Sequence, residues 1–127
     1  MTKIINHFID GKLAKGQSGR MGDIFNPATG DVTAQVPLAS ADEVRAVIAS
    51  STAALPGWMA TPPARRTQVL FKFRELLIKN MDELANLLSA EHGKTIQDAK
   101  GELGRGLEVV EFACGIPHLL KGEFTEN

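Results

Sequence analysis

Two hydrophobic patterns divide the chain near residue 40. Before it, short apolar runs at residues 4–9, 24–25 and 32–36 are separated by Gly11, Gly16, Gly19, Gly22, Gly30, Pro27 and Pro37. Asp10-Gly11 stands between Phe8-Ile9 and Leu13, the pattern of a two-residue hairpin turn. Asn26-Pro27-Ala28-Thr29-Gly30 reads as a second tight turn, with proline presetting φ and glycine supplying a positive φ. These signals predict three or four short antiparallel strands over residues 6–36.

After Ser40 the period becomes helical. Ser40 and Glu43 have capping-box spacing, and Val44, Val47 and Ile48 follow on one face. Pro56-Gly57 predicts an end for this first helix near Leu55. Thr61-Pro62 predicts the next start, and Val69, Phe73, Leu76 and Leu77 give that second helix an apolar stripe. Asn80 with Glu83 predicts a break, after which Leu84, Leu87 and Leu88 lead to a terminator at Gly93. Thr95 with Asp98 opens a last helix that runs to about Gly115-Ile116-Pro117. The expected fold is mostly α with a short N-terminal antiparallel β region: strands and turns over 1–39, helices over 40–119, and one unit over 1–127.

Composition narrows the function classes. With 127 residues, 43% of them apolar, 23% charged and a net charge of −1, the chain is suited to a single core and is not disordered. It lacks the basic excess of a general nucleic-acid binder. One cysteine excludes an internal disulfide. No apolar run reaches the roughly 18 residues of a membrane span, and the first residues carry no secretory or import pattern. The expectation is a cytoplasmic protein that binds neither membrane nor nucleic acid.

The last helix carries the most chemistry. Ile96, Ala99, Leu103, Leu107, Val110 and Cys114 form one apolar stripe, and Val109 and Phe112 lie on the opposite side with Arg105. A helix apolar on two faces is expected to be covered on both. A guanidinium on the second face then needs an anion. Asp98 and Glu102 are internal candidates, and a bound carboxylate or phosphate is the alternative. Gly101, Gly104 and Gly106 suggest close approach by another element or a ligand, but G-x-x-G-x-G inside a helix is not a dinucleotide fingerprint. Gly93-Lys94-Thr95 ends like a phosphate loop, yet Leu88 stands where that loop needs glycine. Cys114 reads as a core thiol, and His7, His92 and His118 are too scattered for a metal. Arg65, Arg66, Lys72 and Arg74 read mostly as a solvated basic face, and Trp58 as a packing anchor.

The order of HFIDGK, DIFNPATGDVTAQVPLASADEV, the spacing of Trp58, Arg66, Leu70 and Phe73, and ELANLLSAEHGKTIQDAKGELGRGLEVVEFACG resembles the N-terminal part of NAD-dependent aldehyde dehydrogenases. FNPATG and E-x-GKT mark the superfamily. RGLEVVEFACG is similar to the CoA-acylating methylmalonate-semialdehyde dehydrogenases. The resemblance implies an N-terminal fragment of the α/β aldehyde dehydrogenase fold without its Rossmann strands. It implies an oxidoreductase that converts methylmalonate or malonate semialdehyde to propionyl-CoA or acetyl-CoA with NAD and CoA.

In that family the nucleophile, general base and nucleotide-binding strands lie beyond the segment matched here. No catalytic residue is therefore expected within the chain, no cofactor bound to it alone, and no activity from it alone. Arg105 matches the family arginine expected to clamp the substrate carboxylate. Ile24, Phe25 and Glu91 occupy the positions of a structural monovalent-cation site, with glutamate where other members carry aspartate. Exposed apolar faces on the third and last helices imply a homo-oligomer. The competing expectations are a non-catalytic helical interaction or regulatory module derived from an aldehyde dehydrogenase, and a piece of a longer enzyme.

Overall fold

The computed structural model describes residues 2–123, so Met1 and residues 124–127 of the expected 1–127 unit lie outside the described residues. The chain divides into two compact units, residues 1–57 and 58–127. The first holds β1 (Lys3–Ile4), β2 (His7–Ile9), β3 (Lys12–Ala14), β4 (Met21–Phe25), β5 (Val32–Pro37) and most of α1 (Ala41–Ala60). β2 and β3 form one hairpin, pairing Ile9 with Lys12. Its turn residues, Asp10 and Gly11, have φ of 53° and 73°, the two left-handed positions that a tight Asp-Gly turn requires. The Ser50 hydroxyl on α1 donates to the Asp10 carboxylate at 2.5 Å, tying the turn to the helix.

β4 and β5 form the second antiparallel pair. At the turn between them, the Asn26 side chain accepts the Ala28 N–H at 2.9 Å. The Gly30 N–H donates to the Asn26 carbonyl at 2.8 Å with φ at 79°. Both predicted hairpins are present. Outside the range predicted as strand, β1 adds to the free edge of β5 in parallel, with the Ile5 N–H donating to the Gln35 carbonyl at 2.8 Å. A period of two marks a strand but says nothing of its neighbour's direction.

The capping box at α1 forms as predicted. Glu43 Oε2 accepts the Ser40 N–H at 2.8 Å and Ser40 Oγ accepts the Glu43 N–H at 3.2 Å. Glu43 Oε1 also accepts the Gln17 N–H at 2.7 Å, fastening the loop before β4. The predicted end near Leu55 is not observed: α1 continues through Pro56 to Ala60. Proline's φ is helical, and this helix bears both the lost amide bond and the crowding of the preceding turn by the ring. The Thr61 N–H donates to the Trp58 carbonyl at 3.1 Å and ends the helix there.

The second unit holds α2 (Pro63–Lys79), α3 (Met81–His92), α4 (Ile96–Cys114) and α5 (Ile116–Leu119). α4 packs against α2 and α3, and α5 against α2 and α4. Thr95 caps α4 by accepting the Asp98 N–H at 3.1 Å. Gly93 ends α3 in the left-handed region at φ 82°. Asn80 breaks α2 from α3 as expected but not as a side-chain cap, because its amide donates back to the Leu76 carbonyl at 2.8 Å. Ala85 on α3 and Ala99 on α4 are fully buried. Small side chains there let the helix backbones approach closely. Lys100 pairs with Asp82 at 2.6 Å, and Arg74 with Glu111 at 2.5 Å, linking α4 to α3 and to α2.

Of the predicted stripe on α2 only Leu77 turns toward the packed face. Val69, Phe73 and Leu76 are exposed, whereas Thr67 is buried and Leu70, Arg74 and Leu77 are half-buried. α2 carries apolar residues on several sides, and only the neighbours select the one that is covered.

Candidate functional site

On α4 the predicted inward stripe holds for most of its length. Ala99 is buried, Leu103, Leu107, Val110 and Cys114 are half-buried, and Ile96 at the helix start is exposed. The opposite face is uncovered: Val109 and Phe112 are each 68% exposed, and Arg105 is exposed beside them. No described element of the second unit lies over this face, and the last helix shows the exposed apolar side that the sequence suggested. With solvent available, the guanidinium does not need an internal anion.

The two candidate partners of Arg105 are engaged elsewhere. Asp98 accepts the Thr95 hydroxyl at 2.7 Å, and Glu102 pairs with Lys94. The Lys94 ammonium, through its hydrogen bond and then its charge, holds the Glu102 carboxyl below the usual carboxylate range, with a smaller contribution from Arg105. Arg105 thus acts on Glu102 through space and forms no ion pair with it. A methyl group added to Gly101 would sit 3.9 Å from the Arg105 guanidinium, and Gly104 and Gly106 meet nothing within 4 Å. These glycines leave the surface around Arg105 low and open.

The cation candidates fall in different units, Ile24 and Phe25 in the first and Glu91 in the second. The Ile24 carbonyl accepts the Thr33 hydroxyl at 3.1 Å, Phe25 is exposed at the end of β4, and Glu91 is exposed in the last turn of α3. Among the described residues no cluster of His, Cys, Asp or Glu could hold a metal ion.

A second concave feature was not foreseen. Trp58, Leu70, Ala113, Ile116 and Leu120 wall an apolar cavity of about 210 Å³, with Arg66 at its side. The Arg66 guanidinium lies 5.9 Å from the Trp58 ring centroid. Its Nε is closed off from solvent and has no hydrogen-bond partner. Arg66 was read with its basic neighbours as mainly solvated. The signal that could have separated it is its spacing of four from Leu70 and eight from Arg74, which puts it on the packed face of α2.

The aldehyde dehydrogenase family profile matches residues 13–127. The chain belongs to the aldehyde dehydrogenase family.

Malonate-semialdehyde dehydrogenase of Pseudomonas aeruginosa is 46% identical over 97% of this chain and 24% of its own length. The mitochondrial acylating methylmalonate-semialdehyde dehydrogenase of Arabidopsis thaliana is 42% identical over 100% of this chain and 21% of its own. Among solved structures, a putative methylmalonate-semialdehyde dehydrogenase from Sinorhizobium meliloti, complexed with NAD, superimposes with a TM-score of 0.92. It is 58% identical over 99% of this chain and 26% of its own. The chain thus spans about a quarter of the length of the relatives it matches. Its mostly helical architecture with small sheets is that of the N-terminal part of the aldehyde dehydrogenase fold.

The residues present do not fit a dinucleotide by themselves. The parallel pair of β1 and β5 is joined through three other strands rather than a crossover helix. The clustered glycines lie inside α4 rather than in a strand-to-helix turn. No helix among the described residues is long and apolar enough to cross a membrane.

Proposed function

We propose that this aldehyde dehydrogenase segment serves an enzyme that oxidises malonate or methylmalonate semialdehyde to acetyl-CoA or propionyl-CoA, with NAD as hydride acceptor and CoA as acyl acceptor. The names and identities of the relatives support the reaction class. On the chain itself, the observation that carries the reading is Arg105, an exposed guanidinium without an ion partner on the open face of α4. Its planar fork suits the carboxylate that distinguishes a semialdehyde acid from a simple aldehyde. Arg105 would bind and orient that carboxylate, and the low glycine surface would leave it room. The described residues contain no dinucleotide crevice, so the chain alone is inactive in this reading.

The test is Arg105→Leu in the dehydrogenase chain that carries this segment. A charge-assisted hydrogen bond contributes about 1.5–3 kcal/mol. kcat/KM for malonate semialdehyde should fall roughly 10- to 100-fold while that for propanal holds. Equal loss for both aldehydes removes Arg105 from substrate recognition.

A companion proposal concerns assembly. The open apolar faces of α4, at Val109 and Phe112, and of α3, at Leu87, would carry self-association of a cytoplasmic homo-oligomer. A monodisperse monomer at high concentration in light scattering would exclude it.

A further inference from the structure

Arg105 stands free because its nearest acid is held elsewhere. Its guanidinium leans toward the start of α4, since a methyl group added to Gly101 would sit 3.9 Å from Nη1. Long helical side chains take that direction. Glu102, three residues before Arg105, shares this part of the helix surface. Its carboxyl is held below the usual carboxylate range first by the hydrogen bond and charge of Lys94, and then by the charge of Arg105. The two groups on α4 thus feel each other, yet the ion pair that forms is Glu102 with Lys94. Glu108 stands on the side from which Arg105 leans away, and no ion pair joins the two among the described residues.

Lys94 is well placed to hold Glu102. It lies in the short loop between α3 and α4, where its carbonyl accepts the Ser89 hydroxyl at 2.7 Å. The next residue, Thr95, caps α4 by accepting the Asp98 N–H at 3.1 Å. The Lys94 side chain is 20% exposed against 47% for Glu102. The ammonium is therefore offered from an anchored, largely covered stem, which lowers the entropy lost when the pair forms. Asp98, the other acid on this stretch of α4, accepts the Thr95 hydroxyl at 2.7 Å. Two consecutive residues ahead of the helix each take one of the carboxylates that precede Arg105. A glutamate paired with Arg105 would fill the planar fork that a bidentate carboxylate needs, and an incoming substrate would have to displace it.

We propose that Lys94 is a positioning residue that holds Glu102 away from Arg105 and so keeps the guanidinium open to a substrate carboxylate. The inference rests on the reading of Arg105 as the carboxylate anchor, and it adds a determinant of specificity in the loop between α3 and α4.

The test uses the dehydrogenase chain that carries this segment, with malonate semialdehyde and propanal as substrates. Lys94→Met releases Glu102 to Arg105. It should raise KM for malonate semialdehyde roughly two- to fivefold, the scale of an exposed ion pair, with kcat and the propanal kinetics unchanged. Adding Glu102→Gln to Lys94→Met should restore the parent KM, because the competing carboxylate is gone. Lys94→Arg should keep it. If the pair only ties the loop to α4, the double variant is no better than Lys94→Met and both aldehydes lose alike. That result overturns the proposal, as does an unchanged KM in Lys94→Met. Should Lys94→Met not fold by circular dichroism, Lys94→Gln, which removes the charge and keeps a polar stem, is read in its place by the same criteria. Arg105→Leu made in parallel separates the two failures. If it loses malonate semialdehyde selectively and Lys94→Met does not, Arg105 keeps its role and Lys94 has none. If it loses both aldehydes equally, the role of Arg105 falls and that of Lys94 with it.

Discussion

The two units are held together in different ways, although both leave large apolar side chains exposed. In the first, short-range hydrogen bonds fix nearly every change of direction: the Asp10-Gly11 turn, the Asn26 turn and the Ser40–Glu43 box each close within a few residues. Its strands are short and its buried apolar side chains are Ala34 and Pro37, both on β5. In the second, the helices are just as well delimited, but they are held to one another by two buried alanines and a few ion pairs between residues distant in sequence. Local chemistry can therefore finish a hairpin, whereas a helix pair settles only part of where its apolar residues go. The functional candidate Arg105 lies in the second unit.

Disturbing the one tight helix contact should do most damage. Ala99→Asp buries a charge between α3 and α4 and should cost on the order of 3–5 kcal/mol. Helical ellipticity should collapse at far lower urea than in the parent chain. A small shift would mean that the alanine contact does not hold the second unit. In the first unit the corresponding weak point is backbone strain. Gly11 has φ of 73° and nothing within 4 Å of an added Cβ, so Gly11→Val is a pure test of the turn. It should cost about 1–2 kcal/mol and Gly11→Asn less, as read by thermal melting. Equal costs would show that sterics rather than φ matter there.

The Glu43 carboxyl is held below its ordinary value first by the Ser40 N–H and then by the Gln17 N–H. A lowered folded value means that this contribution is fully present above the unfolded value and is lost as pH falls through the folded one. The difference in melting temperature between the parent and Glu43→Gln should be constant at neutral pH and shrink in the acid range. A difference that does not change with pH would remove Glu43 as the clasp of the first unit. The smallest effect on stability belongs to the open face of α4. Phe112→Ser should change it by no more than about 0.5 kcal/mol while weakening self-association in light scattering. A large stability loss would show that this face is covered within the chain after all.

Much of this was legible from particular residues. Ser40 with Glu43, Thr95 with Asp98, Gly93 and Asp10-Gly11 each act within a few residues of themselves, so their consequences could be read in order along the chain. The family, too, was legible, because RGLEVVEFACG and FNPATG are contiguous. Pro56 misled, since its signal to stop a helix is only an energetic preference and the helix continues past it. Arg66 was misjudged with its neighbours because charge counting along a helix does not say which side is packed.

The sequence by itself determined where most of the helices begin, which turns close the two hairpins, and to which enzyme family the segment belongs. Those follow from backbone dihedrals, capping groups and contiguous motifs, all of short range. The tertiary structure alone decided that β1 runs parallel to β5, and that α2 buries Thr67 and half-buries Leu70 while Val69 and Phe73 stay exposed. It also decided that Arg105 stands free while Arg66 keeps an unanswered donor beside an apolar cavity. Burial is a relation between elements distant in sequence. A residue's period can offer a face to the core, but only the neighbouring element determines whether that face is taken.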